Sequence, residues 1–122
     1  MKFLLDANFL MIPGKFRVDI FQELEKFGKP ELYTIDLVVK ELSKLSKAKG
    51  KDAFSAKLGL YFIQQKDIGI LETEGKNADS KLLALAGKGY AVCTQDKALT
   101  AKILKAKGKV AFLRQGKYLE MK

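Results

Sequence analysis

Four acidic residues occupy positions from which they could bind a divalent metal ion: Asp6, Glu41, Asp79 and Asp96. Asp6 directly follows the apolar run Phe3–Leu5, and Asp96 comes two residues after Thr94, where another apolar stretch ends. Carboxylates that converged in one crevice would repel each other, and their pKa values would rise unless a cation neutralised them. Mg²⁺ and Mn²⁺ prefer oxygen ligands and often combine carboxylates with water and a substrate phosphate. The four acids together therefore favour metal-assisted chemistry on a phosphate-bearing substrate.

Each acid also has an ordinary structural explanation. Asp6 could accept hydrogen bonds from neighbouring turn amides, and Asp96 could be the N-cap of a following helix. Asp79 could stabilise the positive end of its helix, and Glu41 could pair with a lysine one turn away. Taken singly, these structural roles are the simpler interpretation, so the metal hypothesis depends on the four residues meeting in space.

The composition removes several kinds of chemistry. Histidine is absent and Cys93 is the only cysteine, so Ser-His-Asp and Cys-His nucleophile systems are excluded. A zinc site of the usual Cys/His type and an intrachain disulfide are excluded as well. The 122 residues suit a single domain, 1–122. No apolar stretch approaches a membrane span and no signal peptide is recognisable, so we expect a cytoplasmic protein without membrane contacts.

The chain is strongly basic. It has 23 Lys and Arg residues against 14 Asp and Glu residues, a formal net charge of +9. Such an excess favours phosphate-bearing partners, either nucleic acid or an anionic membrane surface. Lysines that simply solubilise the surface, as in heat-adapted proteins, would give the same composition. Charge alone leaves these interpretations open.

Strands and helices are predicted to alternate along the chain. Strands are expected at 2–5, 31–35, 67–71, 90–94 and 110–113. Helices are expected from Pro13 to about Gly28 and over 36–48, 52–66, 78–87 and 97–107. The strands are continuous apolar runs, which is typical of a parallel sheet covered by helices on both faces. We therefore predict a three-layer α/β/α sandwich with a central parallel sheet of about five strands.

This architecture predicts where the acids lie. Ligands of such sheets bind beyond the carboxyl ends of the strands, where the strand order reverses. At 100° per residue, Asp79 falls within the apolar arc of its helix and Glu41 falls at the edge of the arc of its own helix. We expect both carboxylates to face the body of the protein rather than open solvent.

Four segments in order resemble the PIN domain family of metal-dependent ribonucleases: LLDANFLM, VVKELSKL, NADSKLLALA and AVCTQDKALTAKI. The resemblance covers nearly the whole chain and implies a PIN-like fold. It implies that Asp6, Glu41, Asp79 and Asp96 are the catalytic, metal-binding acids, and that Asn8 and Thr94 support them. Where some members carry a further acid, this chain has Lys97-Ala98-Leu99, so the resemblance implies one metal more firmly than two. The stretches FLMIPGKFRVDIFQEL and FLRQGKYLE are similar to the PIN nucleases of ribosomal RNA processing and their small archaeal relatives.

The function that the resemblance implies is hydrolysis of RNA phosphodiester bonds by an Mg²⁺- or Mn²⁺-dependent endoribonuclease, with a role in ribosomal RNA processing. Single-stranded or looped RNA is the expected substrate, because a narrow acidic crevice requires a flexible strand. The residues expected to contact RNA phosphates are Lys15, Arg17, Lys97 and Arg114. Phe16 and Tyr118 could stack on bases, although core packing is the simpler prediction for both.

Alternative functions stay open. One is a VapC-like toxin ribonuclease paired with an antitoxin, and another is a non-catalytic RNA-binding PIN module. A phosphoacceptor receiver domain is disfavoured, because the first strand ends on a single acid and Lys109 precedes the last predicted strand. RNA is the expected partner; a homodimer, an antitoxin or a ribosome-assembly partner is compatible with the resemblance.

Overall fold

One six-stranded sheet forms the centre of the protein in a computed structural model that describes residues 1–122. The strands are β1 Lys2–Leu5, β2 Glu31–Ile35, β3 Gly69–Leu71, β4 Ala91–Cys93, β5 Lys109–Arg114 and β6 Tyr118–Met121. Their order is β3-β2-β1-β4-β5-β6. β1 to β5 are parallel and β6 runs antiparallel to β5. The predicted α/β fold with five parallel strands is confirmed, and β6 extends it into a mixed sheet.

Seven helices connect and cover the strands. They are α1 Ala7–Leu10, α2 Ile12–Phe16, α3 Ile20–Glu25, α4 Asp36–Ser46, α5 Lys51–Gln65, α6 Ala78–Ala86 and α7 Lys97–Lys105. The single helix predicted from Pro13 to about Gly28 was wrong. Arg17 adopts the left-handed conformation (φ 56°) and ends α2, and the Asp19 carboxylate then caps α3. Because a left-handed residue cannot continue a right-handed helix, the segment divides into short helices.

The two middle strands, β1 and β4, contribute residues to the centre of the hydrophobic core. Phe3, Leu4 and Leu5 of β1 and Val92 and Cys93 of β4 are completely buried. They belong to one continuous cluster of 28 buried apolar residues. Burial on both faces explains why these strands are unbroken apolar runs in the sequence. The polar residues that end these strands therefore emerge at a fixed place, the carboxyl edge of the sheet.

The order of the strands reverses beside β1. The chain moves outward from β1 through β2 to β3, and then crosses back to place β4 on the other side of β1. The carboxyl ends of β1 and β4 therefore flank the switch point at which parallel α/β sheets bind ligands. Asp6 and Thr94 are the first residues beyond these two ends.

Helix α5 packs very closely on the short helices that follow β1. Ser55 of α5 lies against Gly14 of α2. A Cβ added to Gly14 would be 2.6 Å from Ser55 Oγ and 2.8 Å from Ser55 Cα. Gly59 of α5 lies against Leu10 of α1, and a Cβ added to Gly59 would be 3.2 Å from the Leu10 carbonyl oxygen. The glycines allow this close approach, which fixes α1 and α2 beside the carboxyl end of β1. None of the helices has the length and apolar character of a membrane span.

Candidate active site

Asp6 lies at the switch point and is held by both neighbouring segments. Its backbone N–H donates to the Cys93 carbonyl oxygen at 3.0 Å, which extends the β1–β4 pairing by one residue. Its Oδ1 accepts from the Ala7 N–H at 2.7 Å and caps α1. Its Oδ2 accepts from the Thr94 hydroxyl at 2.7 Å. With 7% of its surface exposed, Asp6 is a buried carboxylate in a defined orientation.

Thr94 connects Asp6 to the loop that carries Asp96. Besides donating to Asp6, its Oγ1 accepts the Asp96 N–H at 3.1 Å. Asn8 contacts the same loop, because its Oδ1 accepts the Gln95 N–H at 3.0 Å and lies 3.4 Å from Thr94 Oγ1. The two residues expected to support the acids thus occupy one hydrogen-bonded network between β1 and β4.

Asp96 is the N-cap of α7. Its Oδ1 accepts the Leu99 N–H at 3.0 Å, the ordinary structural role considered for it. Only one carboxylate oxygen is used in this way, and Asp96 is half-buried at the edge of the site. Capping and ligand binding are therefore compatible for this residue.

Glu41 and Asp79 come together in an open groove between α4 and α6, about 830 Å³ in volume. The lysines that line this α4–α6 groove with them are Lys40, Lys44 and Lys76. Both acids are exposed, so the expectation that they face the body of the protein was wrong. Asp79 belongs to the first turn of α6, which lies beyond the packed part of that helix, and Glu41 is at the margin of the apolar arc of α4. Helical periodicity describes the covered middle of a helix better than its end.

The charges at this edge of the sheet are not balanced by ion pairs. The pKa of Asp6 is raised to about 6, chiefly by burial and to a smaller extent by the negative charges of Glu41 and Asp79, whereas the hydrogen bonds from Thr94 and Ala7 act in the opposite direction. The three ion pairs of the protein are Lys15–Asp52, Lys26–Glu23 and Arg114–Glu120, so none of them involves the four acids. None of the four acids is therefore neutralised by an ion pair, which leaves their carboxylate oxygens available to a cation.

The four acids do not form one closed cluster. No group of three or more Asp, Glu, His or Cys residues in the structure is close enough to enclose a metal ion. Asp6, Thr94 and Asp96 form one part of the site, and Glu41 and Asp79 form the other. The two parts interact through charge, since both groove acids affect the pKa of Asp6.

The sequence prediction missed two residues that hold the loops of the site. Gln95 accepts the Leu113 N–H at 2.6 Å and donates to the Leu113 carbonyl oxygen at 3.4 Å, so its amide pairs with β5 as a strand residue would. Asp36 accepts from the Thr73 hydroxyl at 2.6 Å and from the Thr73 N–H at 3.1 Å, which lowers its pKa and fixes the segment leading to α6. The position of Gln95 between Thr94 and Asp96 was the only sequence signal for its role.

The residues expected to bind RNA lie on the surface in separate places. Lys15 pairs with Asp52 at 3.3 Å and Arg114 pairs with Glu120 at 2.8 Å. Arg17 is exposed at the end of α2, and Lys97 is exposed at the start of α7, next to Asp96. Only Lys97 therefore adjoins the acids directly in the chain.

Phe16 and Tyr118 are surface residues. They are 49% and 37% exposed, so the simpler prediction that they pack in the core was wrong. Each lies at an element end, where its neighbours cover it only in part: the Phe16 ring lies beside Gly116, and the Lys26 ammonium lies over the Tyr118 ring.

Comparison with known proteins agrees with this fold. A family described as "PIN like domain" matches residues 3–116. The chain is 29% identical over 127 residues to "Ribonuclease VapC4" of Methanocaldococcus jannaschii, covering 98% of this chain and 95% of that protein. The "Structure of the PIN domain endonuclease Utp24" superposes with a TM-score of 0.82 and 21% identity, covering 99% of this chain and 90% of the other. The structural likeness shows a shared fold.

Proposed function

This chain belongs to the PIN-like domain family, and from that premise we propose that it is an endoribonuclease that hydrolyses RNA phosphodiester bonds with a divalent metal ion. The single observation that carries the proposal is Asp6, a buried carboxylate without a basic partner at the switch point of the sheet. The similarity to a protein named Ribonuclease VapC4 supports RNA as the substrate. The net charge of +9 supports a polyanionic substrate in general.

The donor set suits Mg²⁺ or Mn²⁺. Asp6, Glu41, Asp79 and Asp96 are the candidate ligands, because carboxylate oxygens are the ligands that hard divalent cations prefer. Since the four acids do not form one closed cluster, water would complete the coordination of the ion. A bound ion of this kind lowers the pKa of a coordinated water and stabilises negative charge that develops on a phosphate. The raised pKa of Asp6, which is caused chiefly by burial and then by repulsion from Glu41 and Asp79, supports this assignment, because a bound cation would stabilise the ionised carboxylate.

The other residues of the site would orient the acids and the substrate. Thr94 donates to Asp6 Oδ2 and thereby fixes the direction of the free lone pairs of that carboxylate. The lysines of the α4–α6 groove, Lys40, Lys44 and Lys76, would bind the phosphates on either side of the bond that is cut. Since histidine is absent, carboxylates are the proton acceptors available at this site near neutral pH.

The biological role of the cleavage has two candidates. We propose processing of ribosomal RNA, which rests on the segments FLMIPGKFRVDIFQEL and FLRQGKYLE of the sequence. A VapC-like toxin is the second candidate, favoured by the 29% identity to Ribonuclease VapC4 over almost the full length of both chains. A small antitoxin reading frame directly beside the coding sequence would support the toxin, and its absence would favour the processing role.

Cleavage assays with matched variants test the activity. Purified protein is incubated with structured and unstructured RNA in Mn²⁺, Mg²⁺ or EDTA, beside Asp6→Asn, Glu41→Gln, Asp79→Asn and Asp96→Asn. We expect cleavage that requires the metal and falls by at least about 100-fold in Asp6→Asn, because the buried carboxylate loses its charge. Glu25→Gln removes an exposed acid from α3 and should leave the rate unchanged. Cleavage that persists in EDTA or in all four variants would contradict the mechanism, and no cleavage of any RNA would favour a non-catalytic RNA-binding module.

A further inference from the structure

A second cleft adjoins the site on the side away from the α4–α6 groove. It lies between α7 and β5, has a volume of about 410 Å³, and begins at Thr94 and Gln95. Thr94 also donates to Asp6, so an occupant of this α7–β5 cleft would be next to the candidate active site. The volume falls within the range of small-molecule sites, roughly 300–1,000 Å³.

The walls of the cleft are apolar and include an aromatic ring. Ala101 and Leu104 line it from α7, and Phe112 lines it from β5. The Lys122 ammonium lies over the Phe112 ring, 5.0 Å from its centroid. A base that stacked on this face would replace the Lys122 ammonium, which would then be free to bind a neighbouring phosphate.

The charged residues of the cleft are all basic. Lys97 and Lys122 line it, and no acidic side chain does. Neither lysine forms an ion pair in the structure. The cleft thus combines an aromatic wall with two lysines that have no carboxylate partner, and its charge is complementary to that of a phosphate chain and opposite to that of the four acids beside it.

We propose that the α7–β5 cleft binds the nucleobase of one unpaired nucleotide directly beside the phosphate that is cut. The base stacks on Phe112 between the apolar walls, and Lys97 and Lys122 bind the flanking phosphates. This inference rests on the proposed ribonuclease function and adds a subsite to it. The RNA strand then crosses the carboxyl edge of the sheet, from the lysines of the α4–α6 groove past Asp6 to the α7–β5 cleft.

An abasic scan tests the subsite on a working enzyme. A single-stranded heptanucleotide that the protein cuts at one bond is prepared with an abasic ribose at each position in turn. We expect one position next to the cut to lower kcat/KM by about 5-fold to 150-fold, the range expected for the loss of one base–aromatic stack. An equal effect at every position, or no effect at any, would overturn the proposal.

A bulky substitution in the cleft tests the same subsite by changing the protein instead of the RNA. Ala101 is exposed on α7 and lines the cleft, so Ala101→Phe fills the cleft without disturbing the core. Ala98→Phe adds the same side chain to an exposed position of the same helix outside the cleft. We expect Ala101→Phe to cleave the intact substrate as slowly as wild type cleaves the critical abasic one, and to lose sensitivity to the abasic position. Ala98→Phe should behave as wild type, and equal behaviour of the two variants would contradict the assignment.

A binding measurement without RNA cleavage separates the subsite from the proposed function. AMP and UMP are titrated into the ¹⁵N-labelled wild-type protein in EDTA, with inorganic phosphate as the control ligand. We expect larger shifts of the Gln95, Ala101 and Phe112 amides with the nucleotides than with phosphate alone, and no shifts beyond those of phosphate in Ala101→Phe. If these shifts occur and no RNA is cleaved, the proposed function fails and the subsite stands. If RNA is cleaved and nucleotides give no shifts beyond those of phosphate, or if Ala101→Phe changes only the oligomeric state, the subsite is wrong and the function stands.

Discussion

Asp6 shows at the scale of one residue how the fold creates a reactive position at a cost in stability. It receives hydrogen bonds from Ala7 and Thr94, yet burial and the charges of Glu41 and Asp79 disfavour its ionised form. Two donors are not enough to compensate a carboxylate that is 7% exposed and has no cation beside it. The residue most suited to bind a metal ion therefore destabilises the metal-free protein when it is ionised.

The Asp6→Asn variant should reveal this cost as a dependence of stability on pH. The pKa of Asp6 is raised from 3.8 to about 6, so the folded protein binds this proton more tightly than the unfolded chain does. The resulting stabilisation is fully present below pH ~4 and is lost as the pH rises through 6. A shift of this size corresponds to about 3 kcal/mol above pH ~7. Asparagine is also a good N-cap, so in EDTA at pH 8 we expect Asp6→Asn to be more stable than wild type by about 1–3 kcal/mol. Urea denaturation of both proteins between pH 4.5 and pH 8 measures the difference, and parallel pH profiles would contradict it.

The candidate site could be predicted from the sequence only where a residue is adjacent to a buried strand. Asp6 and Thr94 directly follow apolar runs, and the sheet carries both to the switch point. Glu41 and Asp79 were assigned to the site, but their exposure was not anticipated, because periodicity does not show how far a helix end extends beyond the sheet. Gln95 was missed because the pairing of its amide with Leu113 connects residues that are 18 positions apart.

At the scale of elements, the contact between α2 and α5 fixes the helices that follow Asp6. We predict that Gly14→Ala destabilises the protein by about 1–3 kcal/mol, because the new methyl group would overlap the backbone and side chain of Ser55. Gly87→Ala is the matched control, since Gly87 has φ −71° and its nearest contact is 3.4 Å from the position of a Cβ. Thermal unfolding of the two variants measures the difference. An unchanged melting temperature in Gly14→Ala would show that the helices can separate without loss of stability.

Two short elements, α1 and β6, were not predicted from the sequence. α1 has four residues, too few for a helical period, and three of them are buried, so the segment shows no polar face. β6 follows a short turn in which Gln115 and Gly116 have positive φ values of 56° and 66°. The glycine was the only sign of this hairpin, whereas the parallel strands and the longer helices were visible as apolar runs and apolar arcs.

The whole molecule combines a large positive charge with a local negative site. An RNA strand is attracted by the molecule as a whole, and the acids are the exception that a metal ion would neutralise. Lys40, Lys44 and Lys76 are well placed to provide the local attraction, since they line the same groove as Glu41 and Asp79.

Substitution of these three lysines by glutamine should change the salt dependence of RNA binding. For single-stranded RNA the slope of log K against log salt is about −0.7 per neutralised phosphate, so the triple variant should reduce the slope by about 2. The control variant replaces Lys29, Lys88 and Lys105, exposed lysines outside the α4–α6 groove and the α7–β5 cleft, and has the same net charge. Fluorescence anisotropy of the Asp6→Asn background gives both slopes. The measurements cover about 50 to 300 mM KCl, a range over which the Debye length shortens considerably. Equal slopes for the two triple variants would show that the attraction is not localised.

The burial of Cys93 gives the molecule a built-in reporter. Its thiol is completely buried, burial raises its pKa well above the ordinary value, and its carbonyl oxygen accepts the N–H of Asp6. A thiol in this state reacts with an alkylating reagent only when the centre of the sheet opens. Since it is the only cysteine of the chain, the labelling rate of the unmodified protein records how often β1 and β4 separate beneath the acids, and protection by an added metal ion or RNA can be timed without any engineered probe.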